Sequence, residues 1–377
     1  MKACIYADNA ATTKLDREAF ESMIPWLTEE YGNPSQPYSF SRPAKKALAD
    51  AREIIALCIN ASPDEIFFTS GGTESDNWAI KGVAHAFPDK KRIVTSPIEH
   101  HAVLNACNAL FRQGFKVDYV CVNSEGTISQ SDLHDKLCEA PTAIVSIMMA
   151  NNEIGTIQPL TPETETIVHS CGALFHTDAV QAVGHIPIDT KKIGVDLLSA
   201  SAHKFNGPKG VGFLYIKKGT RVLPYLDGGS QERDLRAGTE NIASIVGMAT
   251  ALKRHHEAMT ANAKHILDLS KGFITKLEKT GIEYKINGSS LKLPGLLSIS
   301  FPGFDGETIL HRLDLMGICI STGAACDSKS TKSSHVLKAI KLEEKYANGT
   351  IRISFGKDNT EADSNAIIDG LVRILKQ

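Results

Sequence analysis

Seven short apolar runs, at Ile66 to Thr69, Arg92 to Ser96, Val117 to Val122, Ala143 to Met149, Ala173 to Thr177, Val195 to Ser199 and Val211 to Ile216, have helical stretches between most of them. This alternation narrows the fold more than any other feature. Short continuous apolar runs are buried on both faces, and strands joined through helices run parallel, so the expectation is α/β with a mainly parallel seven-stranded sheet. The last two runs are separated only by a Gly- and Pro-rich loop. Apolar and small residues at 44, 47, 48, 51, 54, 55 and 58, after Ser41 and Pro43, predict an amphipathic helix. The first dozen residues, ending Ala7-Asp-Asn-Ala-Ala-Thr-Thr13, read as a small polar segment before the first helix.

The pattern changes after a long helical region from about Asn241 to Glu278. Strand-like runs at Ile282 to Ile286, Leu296 to Phe301, Ile318 to Ser321 and Thr350 to Phe355, with helices near 306 to 316, 333 to 341 and 361 to 376, predict a smaller α+β domain. The expected division is a large domain over 14–257 and a small domain made of 1–13 and 258–377. No repeat, low-complexity tract or flexible linker separates them, so the two should share an interface. A formal charge of -2 gives no reason to expect nucleic acid or a membrane surface as partner. The N-terminus lacks a signal-peptide apolar core, and no apolar run approaches the roughly 20 residues that span a bilayer, so a cytoplasmic protein is expected. Eight cysteines lie scattered without a Cys-x-x-Cys pair, and the adjacent His255 and His256 diverge on a helix. Neither a disulfide framework nor a metal site is expected.

The loop between the last two runs, Ser199-Ala-Ser-Ala-His-Lys-Phe-Asn-Gly-Pro-Lys-Gly-Val-Gly212, centres on Lys204. A lysine between buried strands is desolvated, which favours the neutral amine that condenses with carbonyls. A solvated loop lysine would fit this stretch as well. Phe67-Phe-Thr-Ser-Gly-Gly-Thr-Glu-Ser75 sets a glycine pair between strand and helix, where free N–H groups and hydroxyls make a phosphate cup or an ordinary capped helix start. Asp178 ends a strand, where open α/β sheets face their ligands. A carboxylate there would keep a pyridine nitrogen protonated, the arrangement that makes pyridoxal phosphate an electron sink; a turn or cap residue is the alternative. Gln181 would donate to the ring's phenolic oxygen. Of His100 and His101, which open a helix, one would stack on a planar ring and relay protons. Neighbours on a helix point about 100° apart, so both cannot. Asn151-Asn-Glu-Ile-Gly155 supplies amides at another strand end.

Together, Phe-Thr-Ser-Gly-Gly-Thr-Glu-Ser-Asp-Asn, Glu99-His100, Asn-Asn-Glu-Ile-Gly-Thr-Ile-Gln-Pro, Thr-Asp-Ala-Val-Gln and Ser-Ala-His-Lys-Phe-Asn-Gly-Pro-Lys-Gly resemble the cysteine desulfurases, the NifS- and IscS-like branch of the class V aminotransferases. The resemblance runs from about residue 6 to 375. It implies the pyridoxal-phosphate-dependent transferase fold type I and removal of sulfur from L-cysteine, leaving L-alanine and an enzyme persulfide. Lys204 matches the lysine that binds pyridoxal 5'-phosphate covalently, and His100 the stacking histidine; His101 falls on a variable position. Asp178 and Gln181 match the partners of the ring nitrogen and phenolic oxygen. Gly72, Thr73, Ser201 and His203 match the phosphate cup, and Asn152 the asparagine beside cofactor and substrate. Thr239 matches a threonine lent to the neighbouring subunit's phosphate, which implies a homodimer.

Ser321-Thr-Gly-Ala-Ala-Cys326-Asp-Ser-Lys-Ser-Thr-Lys-Ser-Ser334 has small and polar residues without apolar periodicity and reads as an exposed loop. Lys329 and Lys332 favour a thiolate. The resemblance makes Cys326 the residue that takes substrate sulfur, and the spacing to Ser334-His-Val-Leu337 matches the longer loop of this branch. Asp327 and the stretch from Lys329 to Ser333 depart from the family's usual residues. Strict alternation in Thr350-Ile-Arg-Ile-Ser-Phe355 turns Arg352 away from Ile351 and Ile353, and an arginine so aimed suits an amino acid's carboxylate; an exposed edge-strand arginine is the other reading. Selenocysteine cleavage, transamination and a sulfur-delivery partner with weak catalysis are the alternatives. The implied sulfur acceptor is an iron–sulfur scaffold or a thiolation enzyme. The chain ends at Gln377 without the extension by which longer members dock the scaffold, so the acceptor stays open.

Overall fold

In the computed structural model, which describes residues 4–322 and 334–376, the apolar runs become strands whose ends differ from those of the runs by three residues at most. In chain order the strands are β1 (Ile5–Tyr6), β2 (Ile66–Thr69), β3 (Arg92–Thr95), β4 (Lys116–Tyr119), β5 (Ile144–Ser146), β6 (Leu174–Asp178), β7 (Leu197–Ser201), β8 (Gly212–Ile216), β9 (Lys285–Asn287), β10 (Leu296–Ser300), β11 (Ile318–Cys319) and β12 (Thr350–Ser354). The helices are α1 (Arg17–Thr28), α2 (Arg42–Cys58), α3 (Gly72–Ala86), α4 (His101–Phe111), α5 (Gln130–Glu139), α6 (Pro162–Ser170), α7 (Thr190–Ile193), α8 (Ile242–Lys279), α9 (Gly306–Asp314), α10 (His335–Ala339), α11 (Glu344–Ala347) and α12 (Glu361–Leu375).

The large sheet has the order β2-β8-β7-β6-β5-β3-β4. Every contact from β4 to β7 is parallel, because a helical crossover carries the chain back each time. No helix longer than one turn separates β7 from β8, so these two pair antiparallel, and β2 closes antiparallel on β8. The strands are buried on both faces except at the edge, where β4 is half-exposed. That exception accounts for its mixed sequence, Lys-Val-Asp-Tyr.

A second core gathers Phe273, Phe301, Phe355, Ile299, Ile351 and Ile353 around an antiparallel sheet of order β12-β10-β9. The two cores are spanned by one rod. α8 has 38 residues, about 57 Å at 1.5 Å per residue; Ile245, Met248 and Leu252 pack on the first core, and Ile266, Phe273 and Leu277 on the second. The polar segment expected at the N-terminus contains β1, which pairs parallel with β11. Two residues cannot display an alternation, so the sequence carries no sign of it. α1 follows, with Asp16 capping Glu18 and Ala19. No helix among the described residues is long and apolar enough to cross a membrane.

Candidate active site

Lys204 closes a 3-10 turn, Ala202–Lys204, directly after β7. The return to β8 is tight: a Cβ on Gly212 would lie 2.4 Å from the Ala200 carbonyl oxygen and 2.8 Å from Gly71 Cα, so only glycine fits between strand and phosphate-cup loop. The N-terminal segment folds over the lysine turn. Thr13 N donates to the His203 carbonyl at 2.9 Å, and Asn206, at φ 59°, donates through N to Thr13 Oγ1 (2.8 Å) and through Nδ2 to the Lys14 carbonyl (2.6 Å). His255 Nε2 meets Asn206 Oδ1 at 2.7 Å, fixing the turn to α8. Lys204 Nζ donates to the carbonyls of Ala10 and Ala11, at 2.7 and 2.8 Å.

Lys204 reaches into a cavity of about 400 Å³ whose walls include Gly72, Thr73, His100, Asn152, Asp178, Gln181, Ser201, His203 and Arg352. Most of these residues lie at or just beyond the ends of β5, β6 and β7 or at the starts of α3 and α4, and meet because the parallel strands finish on this side, while Arg352 reaches in from the middle of β12 in the second sheet. At one end, α3 presents the first-turn N–H groups of a 15-residue helix, with Ser201 and His203 opposite and Lys209 on the rim. Gly71 holds φ 147°, and a Cβ on Gly72 would sit 2.6 Å from Val180 Cγ2, so the glycine pair lets helix and strand end approach closely. Burial, followed by the charges of Lys204 and Lys209, lowers the His203 pKa to about 4.

At the other end lie carboxylates that receive too few hydrogen bonds for their burial. Asp178 Oδ1 accepts from Val180 N at 2.9 Å, yet burial outweighs this bond and the nearby Lys204 charge and raises its pKa to about 6. Asp76, one turn into α3, is buried with Oδ1 lacking a hydrogen-bond partner; burial and then the Asp178 charge push its pKa well above the usual carboxylate range. Asp76, His100 and Asp178 place ligand atoms within 4.8 Å of one another. Such a cluster favours a cationic N–H in the cavity, which would neutralise charge that the protein leaves uncompensated.

Both His100 and His101 line the cavity. His100 is the N-cap, with extended backbone at φ -62° and ψ 149°, so the 100° rotation between helical neighbours does not apply to it. Its Nδ1 accepts from Ala102 N at 3.1 Å, which leaves the ring proton on Nε2, and burial lowers its pKa to about 4. His101 packs edge-on against His335, ring centres 4.8 Å apart. Gln181 Nε2 donates to the Ala10 carbonyl at 2.9 Å and keeps a second N–H. Asn151 is structural: its Oδ1 accepts from Glu153 N and Ile154 N, which turns Asn152 to the cavity.

Arg352 is buried, which excludes the exposed edge-strand reading. Nη2 bonds Asp8 Oδ1 at 2.8 Å and Nη1 donates to the Asn152 carbonyl at 2.8 Å, while Nε has no hydrogen-bond partner among the described residues. A carboxylate entering the cavity would find an oriented guanidinium with donors to spare. Thr239 is exposed and lies outside this cavity's lining. Cys326, Asp327 and the stretch from Lys329 to Ser333 lie outside the described residues. Asp8, Asp76, Glu99 and the Ala10 and Ala11 carbonyls escaped sequence reasoning. Only Asp76 left a signal there, sitting four residues after Gly72 on the same helical face.

Glu99 makes a testable case of burial. Its Oε1 accepts from Ser96 Oγ at 2.6 Å and Met148 N at 2.8 Å, Oε2 has no hydrogen-bond partner, and burial raises its pKa from 4.5 to about 8. A raised folded-state pKa contributes stability that is complete below about pH 4.5 and is lost as pH climbs through 8. Glu99→Gln should therefore match the parent near pH 5 and melt several degrees higher near pH 9, reflecting on the order of a few kcal/mol. A melting difference that stays constant from pH 5 to 9 would refute this account.

The model of the aminotransferase class-V family matches residues 5–367. A protein of Dictyoglomus turgidum named cysteine desulfurase IscS is 48% identical over 379 residues, covering 100% of this chain and 96% of the relative. One of Methanosarcina thermophila with the same name is 44% identical, over 99% of this chain and 92% of its own length. Among solved structures, one described as a NifS-like protein superposes with a TM-score of 0.92 at 41% identity, covering 99% of this chain and 100% of the other. A structure described as SspA in complex with cysteine gives 0.83 at 33% identity, covering 94% of this chain and 100% of that one.

Proposed function

The chain belongs to the class-V aminotransferase family and is a pyridoxal-phosphate-dependent cysteine desulfurase, and on that premise we propose which of its residues carry the reaction. The observation that carries the assignment is the placing of Lys204, Asp178 and the N-terminus of α3 on three walls of one cavity. An amine, an acid short of hydrogen bonds and a ring of free amides fit, in turn, the aldehyde, the ring nitrogen and the phosphate of pyridoxal 5'-phosphate. Gly72, Thr73, Ser201 and His203 would hold the phosphate, Asp178 and Gln181 the ring edges, His100 one ring face, and Lys204 would supply the covalent link. When bound, the cofactor supplies an electron sink at the substrate's α-carbon.

Arg352, held by Asp8 and the Asn152 carbonyl, binds the carboxylate of L-cysteine and fixes its orientation, with Asn152 beside it. Lys204 takes and returns the α-proton; the Ala10 and Ala11 carbonyls hold its Nζ at the cavity between turnovers. With its proton on Nε2, His100 serves the substrate thiol as a donor rather than as a base. The Cys326 thiolate attacks the substrate sulfur: the Cβ–S bond breaks, an S–S bond forms, and alanine leaves with a persulfide on Cys326. The exposed Phe20, Ile24 and Leu27 on one face of α1, with Tyr31 beyond, support a homodimer, in which Thr239 serves the neighbouring subunit's phosphate. The acceptor of the persulfide sulfur is an iron–sulfur scaffold or a thiolation enzyme, the first of these supported by the IscS names of the relatives, and the reaction takes place in the cytoplasm.

A single-turnover experiment tests the scheme. Holoenzyme given L-cysteine without reductant should yield one alanine per chain and one added sulfur atom on the peptide containing Cys326. Pyruvate with ammonia, or alanine without the added sulfur, would sink it.

A further inference from the structure

Two cysteines outside the catalytic cavity stand together. Cys4 precedes β1 and Cys319 ends β11, 315 residues later in the chain, and their Sγ atoms are 3.2 Å apart. The backbone brings the two segments side by side: β1 and β11 pair in parallel with Tyr6 opposite Cys319, two residues after Cys4, and Ile5 N donates to the Gly317 carbonyl and Ala7 N to the Cys319 carbonyl, both at 2.9 Å. Cys4 is exposed and Cys319 partly so, so reagents in water reach the pair. A disulfide needs an S–S distance of about 2.05 Å, roughly an ångström closer, a movement that side-chain rotation can provide.

We propose that Cys4 and Cys319 form a vicinal dithiol that is oxidised to a disulfide by small-molecule disulfides, making it a covalent modification site separate from Cys326. The exchange balances. A thiolate at Cys4 displaces one thiolate from the oxidant to give a mixed disulfide; Cys319 then attacks Cys4 Sγ and expels the second. The protein gives up two electrons and two thiol hydrogens, the oxidant's S–S bond takes the electrons, and two small-molecule thiols leave carrying the protons. The hydrogen bond that the Cys319 thiol shares with Cys4 is the largest cause holding the Cys319 pKa up at about 11, followed by burial. That bond is gone once Cys4 is capped, so the first step frees the second thiol to react.

The site joins two functional segments. Beyond β1, the chain supplies Asp8 to Arg352 and the Ala10 and Ala11 carbonyls to Lys204. Beyond β11, Ser321 N donates to the Arg352 carbonyl at 3.0 Å. The disulfide therefore ties the strand leading to Lys204 to the strand leading toward Cys326.

The test uses holoenzyme carrying Cys326→Ser, so that the catalytic cysteine cannot exchange. The protein is treated with oxidised glutathione, alkylated and digested without reduction. The expected product is a cross-linked peptide pair containing Cys4 and Cys319, two hydrogens lighter than the reduced peptides and released by dithiothreitol. Adding Cys319→Ser should halt the reaction at a glutathione adduct on Cys4, and Cys4→Ser should abolish the cross-link with the fold intact by melting temperature. Alkylation of both thiols after treatment, separate glutathione adducts on the two, or a cross-link that survives either substitution would overturn the proposal.

Discussion

Lys204→Ala is expected to abolish turnover while leaving a folded protein that still binds pyridoxal phosphate. In the proposed scheme the amine has two tasks that no neighbour duplicates: to link the cofactor covalently and to move the α-proton. Losing a positioned acid–base group alone costs about 10²–10⁴ in rate, and losing the covalent link adds to that. Affinity should fall only in part, because the α3 N-terminus, Ser201, His203 and Asp178 stay in place. Stability should change little. The Nζ bonds to the carbonyls of Ala10 and Ala11 can be taken over by water, because the side chain is half-buried beside a cavity. Absorbance, alanine release and melting temperature together check the claim; more than about a tenth of parent turnover in a folded, cofactor-bearing variant would contradict it.

Cys326→Ser separates the two halves of the reaction. Cofactor uptake and the spectral change on adding L-cysteine depend on Lys204, Asp178 and Arg352, so both should persist. A serine hydroxyl is a far weaker nucleophile toward sulfur than a thiolate, so alanine formation should drop to the level of the mixture without enzyme. The contrast with Lys204→Ala is the informative part, since one variant loses the spectral response along with turnover and the other keeps it. Undiminished alanine release from Cys326→Ser would favour a reaction that needs no acceptor cysteine.

Much of this site is legible in the chain because parallel α/β sheets put their ligand-facing residues where strands end. Asp178, Ser201 and Lys204 each follow an apolar run, and Gly71-Gly72 sits between a strand and a helix, so local pattern was enough to find them. That both His100 and His101 line the cavity was not legible, because cap geometry depends on where α4 begins, and the boundary is set by tertiary packing. Glu99 and Asp76 were missed for a related reason. Nothing in a sequence distinguishes an acidic residue in water from one buried without partners, and their perturbed pKa values come from burial.

The sequence by itself determined the succession of the seven strands of the large sheet and placed Lys204, Asp178, Ser201 and the Gly71-Gly72 turn at element ends, because each follows from periodicity or from short contiguous motifs. The tertiary structure decided what had to be brought together from a distance. β2 lies against β8 and β1 against β11, Asp8 pairs with an arginine 344 positions away, and Cys4 meets Cys319 across 315. Such contacts form when the two cores close around α8, and no local pattern encodes them, because each depends on the packing of elements that are far apart in the chain.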